Sequence, residues 1–175
     1  MDRGPGDLHP AGAGPEEVGA RAAPPENPGM FKPRRILVPV DLSPTADLVV
    51  RAAADLARVY GSRLALFHVF DSRAVEDVYN LHGLKEAEVR ARMKANAEAA
   101  MERLLRRPWL KGVRVEVKYA HGLPPEAIVA AAGTWRADLL VMARHRRSGI
   151  AQLLYGRTSD AVVREVPCAV LTLAP

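Results

Sequence analysis

Apolar residues along this chain recur with two periods that take turns. Ile36-Leu37-Val38-Pro39-Val40 is a short, β-branched run and predicts a buried strand ended by Asp41. Ser43-Pro44 then offers a hydroxyl at a helix N-cap followed by proline at the first helical position. Leu48, Ala52, Leu56 and Val59 follow at helical spacing, and Gly61 stops the helix after Tyr60. Arg63 to Val69 predicts a second strand, so the opening elements form a β-α-β unit whose crossover should be right-handed. Residues 70–84 predict a loop. Lys85 to Arg107 places Val89, Met93, Ala97, Met101 and Leu104 on one helical face and charges on the other, up to Pro108.

Val113 to Tyr119 alternates apolar and polar residues, the mark of an edge strand with one exposed face. Gly122 turns the chain into a helix opened by Pro124-Pro125-Glu126, with Ile128, Ala132 and Trp135 inward. Leu139 to Met142, Thr158 to Glu165 and Ala169 to Leu173 supply a fourth strand, a fourth helix and a fifth strand. Strands and helices thus alternate strictly, which defines an α/β domain: an open parallel sheet with helices on both faces.

Composition narrows this picture. Aromatics are only 5% of the 175 residues while 49% are hydrophobic, so the core must be aliphatic. Residues 1–30 are rich in Pro, Gly and Ala with few large apolar residues, and are expected to form a disordered extension ahead of a domain over 31–175. That extension carries a net charge of −3, which leaves +8 on the remainder of a chain whose net charge is +5. The single cysteine, Cys168, excludes an internal disulfide and reads as a small apolar filler. No apolar run approaches the ~20 residues of a membrane span, and the N-terminus lacks a signal-peptide pattern, so a soluble, cytoplasmic protein is expected.

Catalytic chemistry finds little support. The chain has no G-x-x-x-x-G-K-[ST] loop, no G-x-S-x-G elbow and no His/Cys/Asp spacing of a metal site, and an enzyme is not expected. His68 reads as a satisfied histidine in a strand, and His82, His121 and His145 as loop residues. The stretch after Met142 is different: Arg144, Arg146, Arg147 and Arg157 cluster between a strand and a helix, where α/β folds hold anions.

Four stretches together resemble the universal stress protein family: ILVPVDLSPTA from Ile36, LFHVFD from Leu66, HGLPPEAIVAAA with ADLLVMARH from His121, and LLYGRTSDAVVREVPCAVLTL from Leu153. The resemblance implies a Rossmann-like five-stranded sheet of order 3-2-1-4-5, with a switch point between the first and fourth strands. It implies a homodimer paired through Ala169–Leu173, an edge otherwise left open. It also implies a stress-response role that is regulatory rather than catalytic. No membrane partner is expected, and nucleic acid is not a favoured one.

One branch of that family binds ATP, with Mg, through a loop of the form G-x-x-G, nine residues, then G-[ST]. Laid on this chain, the first glycine falls on Ala143 and the second on Arg146. After nine residues, Arg147 to Tyr155, the third falls on Gly156. The hydroxyl position falls on Arg157, with Thr158 one residue late. Only Gly156 matches. A side chain at Arg146, if positive φ is required there, costs about 1–2 kcal/mol. The resemblance also places Asp41 at the ribose, Val69 near the adenine and Val40 beside it. Asp41 has a local alternative, which is to end a strand and satisfy loop amides. Three readings of the loop stand side by side: arginines replacing amide-based phosphate binding, a dimeric stress-response module with weak or absent nucleotide binding, and a site for another anion or nucleic acid. The second is the principal reading.

Overall fold

The structure, a computed structural model, describes residues 31–76, 85–143 and 157–174. Five strands form one parallel sheet: β1 (Arg35–Pro39), β2 (Arg63–Asp71), β3 (Arg114–Gly122), β4 (Leu139–Ala143) and β5 (Ala169–Leu173). Their order is β3-β2-β1-β4-β5, as the family resemblance implies. Four helices lie between them: α1 (Ala46–Tyr60), α2 (Glu86–Leu105), α3 (Pro124–Trp135) and α4 (Arg157–Glu165). A helical stretch at 72–76 and a 3-10 turn at Pro108–Leu110 complete the described elements.

Alternation of side chains splits the interior into two layers. Ile36, Val38, Leu64, Leu66 and Val141 meet α1 together with Met101 and Leu104 of α2 on one face. Leu37, Ala65, Phe67, Leu140 and Met142 meet Ile128 and Ala132 of α3 and Val162 of α4 on the other. Each central strand is buried on both faces, which is why its sequence reads as a continuous apolar run. β3 is an edge strand, and its residues are exposed or half-buried throughout.

The stripe Leu48, Ala52, Leu56, Val59, whose spacing marks α1 as a helix, is not its inner face. Leu48 is 46% and Val59 75% exposed, and the buried residues are Ala46, Val49, Val50, Ala53, Ala54 and Ala57. A helix lying on a sheet approaches most closely over its small residues, and here those form the inward stripe. Ser43 does not cap α1 either. The helix starts at Ala46, no side chain caps it, and Ser43 Oγ lies 2.7 Å from Thr45 Oγ1. Phe70 and Asp71 belong to β2 rather than to a loop, because β3 also runs on, to Gly122, and pairs with them. Gly61 ends α1 as expected, in the left-handed region at φ 66°.

Polar contacts fasten the layers. The Asp138 carboxylate accepts the N–H groups of Arg34 and Arg35 at 2.8 Å each, tying the start of β4 to the start of β1. Glu116 on β3 accepts the indole N–H of Trp135 at 2.9 Å and pairs with Arg63 and Lys118. Burial pushes the Glu116 carboxyl up, but Lys118, Trp135 and Arg63 outweigh burial and leave its pKa below the ordinary value. A lowered folded pKa means stability that is present above the ordinary value of 4.5 and lost as pH falls through the folded one. Glu116→Gln should therefore cost about 1 kcal/mol near neutrality and less in acid. Thermal melts of both proteins across the acid range check this; a difference independent of pH would refute it.

Candidate functional site

The parallel order reverses between β1 and β4, and the helices that follow them, α1 and α4, pack on opposite faces of the sheet. In open α/β sheets such a reversal is where a ligand crevice forms. Four of the residues singled out from sequence belong to its neighbourhood. Val40 is buried and follows the last residue of β1 directly; Asp41 is the next residue and is exposed. Ala143 is half-buried at the end of β4 and packs against the cluster that contains Val40. Val69, near the end of β2, packs partly against the opposite layer.

Asp41 Oδ1 accepts the backbone N–H of Ser43 at 3.0 Å. Leu42, between them, has φ 60°, a left-handed conformation that is uncommon for a residue with a side chain. The turn costs on the order of 1 kcal/mol and holds the carboxylate at the mouth of the crevice. The local role of Asp41 in satisfying a loop amide is thus observed. Thr158 lies half-buried in the first turn of α4, one residue into a nine-residue helix. Arg144, Arg146 and Gly156, with the side chain of Arg157, lie outside the described residues, as do His82 and His145.

Sequence reasoning treated His68 as merely satisfied. It is half-buried, and its Nδ1 lies 2.8 Å from the carbonyl oxygen of Val40, so it bonds to the crevice's own backbone. Asp138 was overlooked; an acid placed immediately before an apolar strand was the available signal. Cys168 is half-buried: burial first, then the Asp138 charge, outweigh a backbone bond from Leu140 and push its thiol up to about 11. It stays protonated and weakly nucleophilic at neutral pH. Among the described residues no group of three or more His, Cys, Asp or Glu side chains could hold a metal ion. Among them, too, no helix is long and apolar enough to cross a membrane.

Fold and sheet order agree on one class of protein, a doubly wound α/β module whose strand order reverses between β1 and β4. The chain belongs to the universal stress protein family, whose sequence profile matches residues 32–173. It is 33% identical over 143 residues to a universal stress protein of Thermus aquaticus, covering 81% of this chain and 98% of that one. It is 24% identical over 144 residues to universal stress protein MJ0577 of Methanocaldococcus jannaschii, covering 75% and 89%. The solved structure of MJ0577 superposes with a TM-score of 0.68 at 23% identity, over 83% of this chain and 98% of that one. A universal stress protein solved in complex with cAMP superposes with a TM-score of 0.59 at 22% identity, over 82% and 98%.

Proposed function

We propose that the chain is a non-catalytic stress-response binding module, a cytoplasmic homodimer, whose crevice has weak or absent affinity for nucleotides. The domain covers residues 31–175 and residues 1–30 are an extension to it. The observation that carries this reading is the phosphate loop. It keeps its spacing but has Ala143 and Arg146 where glycines would let backbone amides approach an anion, and Arg157 where a hydroxyl would add a donor. Dimerisation is supported by β5, a sheet edge whose backbone another copy could pair.

A second reading draws on the other end of the crevice. It assigns Asp41 to the ribose, Val69 to the adenine and Val40 to its flank, and it is supported by a relative of the same fold solved with cAMP. In that reading the arginines supply charge-assisted contacts to the phosphates of ATP, with Mg accompanying it. Calorimetric titration with Mg-ATP separates the two. We expect no saturable heat below about 0.1 mM ligand. A dissociation constant in the low micromolar range would overturn the principal reading in favour of the second.

A further inference from the structure

The backbone ladder between β1 and β2 ends in an unusual way. The strands pair in register from Arg35↔Arg63 to Pro39↔Phe67, and Val40 N–H still donates to Phe67 O at 2.8 Å. Continuing that register, the next rung would run from Val69 N–H to the Val40 carbonyl. Among the described residues the ladder has no such rung. The Val40 carbonyl is instead met by His68 Nδ1 at 2.8 Å. The imidazole is itself held, edge-on to Phe70 with centroids 5.0 Å apart and to Tyr119 at 6.5 Å, and Phe70 stacks on Tyr119.

Backbone groups alternate along a strand. Phe67 turns its carbonyl to β1, so Val69 turns both its N–H and its C=O the same way. By then β1 has left the sheet. The Val69 peptide edge therefore faces the crevice as one donor beside one acceptor, with Val40 and Asp41 opposite.

We propose that His68 is a positioning residue of the crevice: its Nδ1–H holds the Val40 carbonyl, fixes where β1 departs from β2, and leaves the Val69 peptide edge open to a ligand. In the second reading of the crevice, on which this rests, Val69 lies beside the base of an adenine nucleotide, so the groups His68 sets in place serve the base end of that ligand. The ring can perform this task only with hydrogen on Nδ1, since a carbonyl accepts and cannot donate. A leucine of similar size would fill the space without holding the carbonyl. An asparagine places an amide nitrogen near the position of Nδ1 and should hold it.

The test uses nuclear magnetic resonance on the full chain and three proteins: wild type, His68→Leu and His68→Asn. In unliganded wild type, nitrogen shifts of the ring should show Nδ1 protonated; an Nδ1 without hydrogen overturns the proposal. The amide resonances of Asp41 and Val69 should move in His68→Leu and lie close to wild type in His68→Asn. Equal displacement in both variants, or none in either, overturns it as well. Titration with adenosine then reads the ligand step. His68→Leu should weaken binding about tenfold relative to wild type, with His68→Asn within about threefold. A leucine variant that moves the amide resonances yet binds adenosine as wild type does would retain the positioning role and overturn the assignment to the base end. Wild type that fails to bind adenosine at all would sink the ligand reading while the unliganded spectra still decide the role of His68.

Discussion

Leu140→Ala should destabilise the domain by about 2–5 kcal/mol, the range for emptying a leucine site in a rigid core. Leu140 is fully buried as the second residue of β4, level with Leu37 of β1 on one side and Val170 of β5 on the other. Its cluster includes Ile128 and Ala132 of α3 and Val162 of α4, so two helices and strands of both sheet halves border the cavity it would leave. Strands in a hydrogen-bonded sheet cannot move inward to refill such a space without breaking register. Against a total stability of about 5–15 kcal/mol for an ordinary domain, the loss is a large share. Urea unfolding followed by circular dichroism checks it, with the midpoint falling and the slope unchanged. A loss below about 1 kcal/mol would mean that the layer is not packed as described.

The second large effect comes from α1 and reverses the ordinary expectation about size. Ala53→Leu should cost about 1–3 kcal/mol, since Ala53 is fully buried where the helix meets the sheet and has no room for three more carbons. Leu48→Ala, which removes a much larger apolar side chain, should stay within about 0.5 kcal/mol, because Leu48 is 46% exposed. Differential scanning of the two variants beside wild type gives both numbers. If Leu48→Ala proves the more damaging, α1 faces the sheet with its leucines after all.

That helix also shows where the sequence was legible and where it was not. Its position, its length and its stop at Gly61 followed from periodicity and a left-handed cap, both of which are local. Its inward face did not, because α1 is apolar on two sides. Val49, Val50, Ala53, Ala54 and Ala57 make one stripe and Leu48, Ala52, Leu56 and Val59 another, and helical spacing alone does not say which faces inward. What decides is how closely helix and sheet approach, a tertiary quantity. The α2 and α3 faces carried no such ambiguity, and Val89, Ala97, Met101, Ile128 and Ala132 are buried as expected.

The crevice divides in the same manner. The family resemblance named Val40, Asp41, Val69 and Ala143, and the structure puts all four near the carboxyl ends of their strands. His68 could be located on its strand but not assigned its bond. The bond depends on β1 ending one residue before the partner that its register would next demand, and strand ends are set by how neighbouring chains diverge. Asp138 illustrates the same limit, because its two acceptor bonds reach residues more than a hundred positions away.

The two indoles of the chain have been placed on opposite sides of the sheet. Trp109 packs against the α1/α2 layer, flanked by the guanidinium groups of Arg107 at 5.3 Å and Arg51 at 5.9 Å, with its ring nitrogen buried and unbonded within the described residues. Trp135 packs against the α3/α4 layer and donates to Glu116. Each half of the interior therefore contains its own intrinsic fluorophore, in a different electrostatic setting. With one indole replaced by phenylalanine, emission from the other becomes a private signal of that layer, able to reveal whether the two faces of the sheet come apart together or one after the other.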